Sequence, residues 1–262
     1  MYNKPSRLLP LLLVFMNLSC GMFKSRQLPE KRPPHLVIET YIGGGMAPES
    51  NQYYFSEDSC YAKFWRNRAT NIIHFKMDAA KFDALYKVFY EKRFDEIRTR
   101  QMETYDRGGI NISLHFGDKN VSVSDAGSTY LVDAYVENFS AVVAAIENTV
   151  APVVKENEAP LVVKFDNSLY TDSTSFYFNL ENFYVNSDSG KTESRSFQLL
   201  RGVHNFSLSI QPKRQPAFSR RTIATVDDVV SVCGQLDTLY ISLQDTNKVI
   251  LRKNIECTAN DH

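Results

Sequence analysis

From residue 161 to the C-terminus the chain holds almost nothing but short strand-like runs, and this constrains its fold more than any other feature. The runs are 161–165, 176–180, 183–185, 197–200, 206–210, 222–226, 239–243 and 249–255, with turn residues between them. Seven or so short strands at this spacing predict an all-β sandwich domain over 161–262. Ahead of it, Pro152 and Pro160 bracket the polar Lys155-Glu156-Asn157-Glu158, which reads as a linker over 151–160. No period of 20–50 residues recurs, so solenoids and propellers are excluded.

Residues 36–150 mix the two periodicities. Strand signals run over 36–42, 53–55, 61–65 and 72–75. Asp78 then stands where an N-cap belongs, and Phe82, Leu85, Tyr86 and Phe89 share one helical face. Ile110, Ile112, Leu114 and Phe116 alternate with polar residues, and Gly117-Asp118 turns the chain back through Val121 and Val123. Asp133 can cap a closing helix whose buried stripe is Tyr135, Phe139, Val142, Val143 and Ile146. The expectation is an α+β N-terminal domain: an antiparallel sheet with two helices on one side.

The N-terminus reads as an address. Lys4 and Arg7 precede a nine-residue apolar stretch, 8–16, interrupted only by Pro10. That is too short to span a bilayer, which takes about 20 residues, and has the form of a signal peptide over 1–19. Ser19-Cys20-Gly21 follows and resembles the lipobox of bacterial lipoproteins. The resemblance implies cleavage before Cys20, acylation of its sulfur and amine, and a bilayer as partner. Gly21 in the next position implies the outer membrane, on its periplasmic or surface face. The alternative is an ordinary secretory signal. Residues 20–35 carry Lys24, Arg26, Lys31 and Arg32 against Glu30, with Pro29, Pro33 and Pro34. They read as a stiff basic tether reaching about 50 Å when extended. The chain has 30 Lys+Arg and 30 Asp+Glu, so no general drive toward nucleic acid exists.

With Cys20 given to lipid, Cys60, Cys233 and Cys257 remain. In an antiparallel hairpin built from 239–243 and 249–255, a loop of residues 244–246 sets Cys233 directly opposite Cys257, and a loop of 244–248 sets them diagonally. A disulfide between them is the candidate, with two buried thiols as the alternative. Cys60 beside Tyr61 and Phe64 reads as a core thiol, with a nucleophile using His74 as base as the less favoured reading.

Little else carries chemistry. His35, His74, His115, His204 and His262 lie more than four residues apart and beside no Cys-x-x-Cys, so no metal or cofactor is expected. Gly43-Gly44-Gly45-Met46 lacks the following helix of a phosphate loop. It reads as a hairpin turn or a ligand-facing loop, and Gly43, Gly44, Gly45 and Arg107 are the candidate ligand residues. Arg98, Arg100 and Arg107 flank Tyr105 in one basic loop, and Lys213, Arg214, Arg220 and Arg221 surround Phe218 in another.

Gly43-Gly44-Gly45-Met46, Phe82-Asp83-Ala84-Leu85-Tyr86, Phe94-Asp95-Glu96-Ile97 and Tyr105-Asp106-Arg107-Gly108-Gly109 together resemble uncharacterised lipoproteins of Bacteroidota-type bacteria, over 36–150. That resemblance implies no activity and no catalytic residues. The expectation for the whole chain is a membrane-anchored exported lipoprotein, a non-enzymatic binding or envelope-assembly module whose partner is an envelope protein or a glycan. A glycan hydrolase of the envelope and an inhibitor of an extracellular enzyme are the alternatives.

Overall fold

The computed structural model describes residues 26–46, 49–104, 106–166, 174–181, 183–188, 192–212, 224–234, 237–245 and 248–254. The signal segment, Cys20, Tyr105, the basic loop around Phe218 and Cys257 lie outside the described residues. Among the described residues the protein is β-rich, with two α-helices.

The first sheet is built from β1 (Val37–Gly45), β2 (Glu49–Phe55), β3 (Cys60–Arg66), β4 (Ala69–Phe75), β6 (Arg107–Phe116) and β7 (Lys119–Asp125), in the order β4-β3-β2-β1-β6-β7. Every neighbouring pair is antiparallel. Period-two alternation puts Ile38, Phe55, Ala62, Phe64, Ile112, Leu114 and Val123 on one buried face. Two helices supply the opposing surface: α1 (Ala79–Glu91) through Phe82, Leu85, Tyr86 and Phe89, and α2 (Val136–Glu156) through Phe139, Val142, Ile146 and Val150. Burying each such side chain contributes about 1.5–3 kcal/mol. Asp78 starts α1 as expected, its carboxylate accepting from the Lys81 N–H at 2.7 Å. A two-stranded ribbon of β5 (Thr99–Gln101) and β8 (Thr129–Leu131) lies beside this body.

Two further sheets share a second core. One has the order β11 (Phe183–Asp188), β10 (Thr174–Leu180), β13 (Gly202–Pro212), β14 (Ala224–Val232). The other has β12 (Thr192–Leu200), β9 (Glu158–Asp166), β15 (Asp237–Asp245), β16 (Lys248–Asn254). Leu161, Val163, Phe165, Leu239 and Ile241 of the latter meet Phe178, Leu180, Phe206, Leu208 and Val230 of the former. The central β9–β15 pair is parallel. The two cores adjoin where the β3–β4 turn, Asn67-Arg68, meets β13. Asn67 Nδ2 donates to Asn205 O at 3.2 Å and Asn205 Nδ2 to Asn67 O at 2.7 Å.

Four local expectations are corrected. Residues 151–160 are not an open linker: α2 continues through Pro152 to Glu156, and β9 begins at Glu158. Proline inside a helix costs about 3 kcal/mol, but buried Val150 and half-buried Val153 and Val154 hold this last stretch against the core. Asn157 ends it, its amide Nδ2 donating to Val153 O at 2.8 Å. Asp133 does not cap α2; it opens a single 3-10 turn, 133–135, and pairs with Arg100 at 3.3 Å. The buried stripe shifts accordingly, with Val150 inside it and Tyr135 and Val143 at its margin. Gly43-Gly44-Gly45 is the end of β1, paired to Ser50 on one side and Gly109, Gly108 and Arg107 on the other, rather than a turn.

The fourth correction concerns the tether. From Arg26 onward it is a strap bound along α1. The Arg26 guanidinium stacks 3.6 Å from the Tyr90 ring centre and donates to Tyr90 O, capping the helix C-terminus with positive charge. The backbone N–H groups of Gln27 and Leu28 donate to Asp95 Oδ2 at 2.6 and 3.1 Å. Leu28 is buried, and Pro29 O accepts from the Tyr86 hydroxyl at 2.6 Å. Arg32 lies 4.6 Å over the Phe82 ring and pairs with Asp83 and Glu57, each at 2.5 Å. Its charge is therefore neutralised within the protein.

Candidate functional site

With both helices packed on one side of the six-stranded sheet, the other side has no helix over it among the described residues. The strand register arranges its side chains in rows. One row reads His74, Tyr61, Tyr54, Glu39, Ser113, Ser122 from β4 to β7. The next reads Ile72, Lys63, Gln52, Tyr41, Asn111, Ser124, and a third begins Thr70, Trp65, Ser50, Gly43, Gly109. Tyr41 is 42% exposed, Trp65 36% and Ile72 50%.

The Tyr54 and Tyr61 rings stack with centres 5.1 Å apart and planes 2° from parallel, and the His74 ring meets Tyr61 edge-on at 6.2 Å. Burial, the Glu39 carboxylate and Tyr54 push the Tyr61 phenol up, so it remains a neutral donor. Glu39 Oε2 sits 3.6 Å from His115 Nε2, and the Ser113 and Ser122 hydroxyls are 2.9 Å apart. Gly43 and Gly109 put two side-chain-free positions next to each other in the third row. Gly43 has φ +148°, and a Cβ there would stand 2.6 Å from Ser50 Cβ.

The structure brings the candidate ligand residues together at the end of this sheet: Gly45 is the register partner of Arg107, and Gly44 of Gly108. Arg107 is committed within the protein. It pairs with Asp125 at 2.5 Å, donates to Thr129 O at 2.9 Å and covers the Tyr130 ring at 4.1 Å. A cleft of about 410 Å³ opens between this clamp and α2, lined in part by Arg100, Asp133, Ser140 and Glu147. A second hollow of about 640 Å³ lies between α1 and α2, with Leu85, Val88 and Val153 on its walls.

Cys60 and His74 cannot act together. Cys60 is paired with Phe75 and points into the helix-covered core, whereas His74 is the partner of Tyr61 on the open face. Burial pushes the Cys60 thiol up, away from thiolate. Cys233 is disulfide-bonded. Its backbone N–H donates to the buried Asp237 Oδ2 at 2.7 Å. In the adjoining hairpin Leu243 lies opposite Val249 and Leu239 opposite Lys253, but β15 begins at Asp237 and Cys233 follows β14 of the other sheet, so the expected hairpin register does not extend to Cys233. Sequence reading missed the open aromatic face. Its residues carry no motif, and only the strand order places Tyr41, Tyr54, Tyr61 and Trp65 side by side.

No protein family and no curated protein matches the chain. Among solved structures, suilysin from Streptococcus suis overlaps 98% of this chain and 76% of its own, at 9% identity and a TM-score of 0.20. The human-specific toxin intermedilysin overlaps 97% and 75%, at 8% and 0.20. Listeriolysin O overlaps 94% and 71%, at 7% and 0.19. At such TM-scores the overlap carries no argument about fold or function.

Proposed function

We propose that this chain is an exported lipoprotein, moored to the bilayer through acylated Cys20, that works as a non-enzymatic binding module of the cell envelope. Its arrangement would be an α+β domain followed by a β-sandwich. The open face of the six-stranded sheet is its ligand surface. The observation that carries this reading is that face itself: stacked and exposed aromatics in register with hydroxyl and amide side chains, on a sheet whose other side is fully used by helices. Ring faces set beside hydroxyl and amide groups offer a ligand both apolar contact and hydrogen bonds.

Export is supported by Lys4, Arg7, the apolar run 8–16 and the placement of Cys20. With residues from Arg26 onward bound as a strap, the span between a lipidated Cys20 and the folded body is six residues, about 20 Å at full extension. The body is then held close to the headgroups, with the C-terminal end of α1 nearest.

The test has two arms. Radiolabelled palmitate is expected in the wild type and absent from Cys20→Ala. A photo-crosslinking residue at position 72 is expected to capture an envelope component, and one at Asp83, on α1 at the opposite side of the sheet, is not. Native protein retaining residues 1–19 would refute the anchor, and an inert position 72 would refute the ligand surface.

A further inference from the structure

We propose that the open face binds an uncharged glycan, laid across the strands over Tyr54, Tyr41 and Trp65. This rests on the reading of that face as the ligand surface and adds the chemical class of the ligand.

Among the described residues the face carries one carboxylate, Glu39, and one ammonium, Lys63, and Glu39 already faces His115 at 3.6 Å. A near-neutral face of this kind has no means of holding a phosphate backbone, which needs several cations along one track. Nor does it match an anionic lipid surface or an acidic peptide.

The aromatic rings do not merge into one apolar patch, because Gln52 and Lys63 separate Tyr41 from Ile72, and Ser50 lies between Trp65 and Gly43. The core of a stable protein–protein interface is continuous and depleted of such groups. A pyranose ring presents an apolar C–H face and a rim of hydroxyls, and it needs what this lattice alternates: ring faces for the C–H groups, and donors and acceptors between them. Tyr61 is enclosed by Tyr54 and His74, so Tyr54 has one ring face left, toward β1. There Glu39 and Ser113 follow in the same row, placed to bond hydroxyls. Six strands at about 4.8 Å spacing make the row about 24 Å long, enough for several sugar units.

Glycoside hydrolysis ordinarily uses two carboxyl groups about 5–9.5 Å apart across the scissile bond. Among its described residues the face offers one carboxylate, Glu39, which suits holding a glycan rather than cutting it.

Trp65 is the chain's sole tryptophan, so its fluorescence reports directly on this face. Detergent-solubilised full-length protein is titrated with neutral hexasaccharides of the glucan, xylan, mannan and galactan types. At least one is expected to give a saturable change in Trp65 emission that is insensitive to salt. Tyr54→Ala and Tyr41→Ala should each weaken it about tenfold, a loss of about 1.4 kcal/mol. Tyr54→Phe, which keeps the ring, should retain it, as should Tyr184→Ala on β11. No saturable change with any of the four, or equal binding by Tyr54→Ala, overturns the glycan. The crosslinker at position 72 then tells the two failures apart. Capture of a protein or a polyanion leaves the ligand surface standing and refutes the glycan; capture of nothing refutes both.

Discussion

The strap can be tested through the ionisation of one buried phenol. Tyr86 is 1% exposed, and its hydroxyl donates to Pro29 O. Burial first, then the nearby Asp95 carboxylate, push its pKa up to about 12, although Arg26 acts in the opposite direction. In the unfolded chain a tyrosine ionises near pH 10. The raised folded value means that the contribution is complete below about pH 10. As pH rises from about 10 to about 12, the unfolded chain releases this proton while the folded one keeps it. Stability therefore falls with pH through that window. Each unit corresponds to about 1.4 kcal/mol, so wild type should lose about that much from this group alone between about pH 9 and pH 11. Tyr86→Phe has no such proton. It should be less stable by about 1 kcal/mol at neutral pH, from the lost bond to Pro29, and should lack the alkaline decrement. Urea unfolding of both proteins at the two pH values isolates the difference, because the other tyrosines and lysines are common to both. Parallel pH profiles for the two proteins would show that Tyr86 is not shielded, and with that the strap's seat on α1 would be refuted.

Four further outcomes are expected. Gly43→Ala, forced to φ +148° with its Cβ against Ser50 and the Glu49 carbonyl, should destabilise by about 2–3 kcal/mol in thermal melts. Gly117→Ala, with open space around it, should cost about 1 kcal/mol. His204 is fully buried, with Nδ1 2.5 Å from Glu181 Oε1 and Nε2 2.6 Å from Leu200 O. Both neighbours are acceptors, so His204→Phe strands a carboxylate and a carbonyl and should cost about 3–5 kcal/mol by denaturant titration, against less than 1 for exposed Val229→Thr. Non-reducing peptide mapping should recover Cys233 joined to Cys257, and Cys233→Ser should lower stability by about 3.5 kcal/mol; recovery of Cys257 as a free thiol would refute the pairing.

The strands, the first helix and its cap were legible because each depends on residues close in sequence. Alternation along β6 and the stripe on α1 are local patterns, and Asp78 acts on a backbone three residues away. The candidate site was legible only in part. Gly43–Gly45 and Arg107 do meet, but the guanidinium is taken up by Asp125 and Tyr130, which no spacing rule reveals.

What the sequence determined alone, then, is which segments extend, which coil, and which faces are apolar, together with the export pattern on which the proposed anchor rests. Only the tertiary structure decided the rest. Prolines and basic residues at 26–34 look like a spacer until Asp83, Glu57, Asp95 and Tyr86 are brought beneath them. Pro152 looks like a break until the core holds Val150, Val153 and Val154 in helix. The parallel partnership of β9 with β15, and the row that sets Tyr54 against Tyr61, Glu39 and Ser113, follow from strand order. The reason is physical: propensity and periodicity act within a turn or two of chain, whereas which side of a sheet is covered depends on long-range packing that stabilises one arrangement over all others.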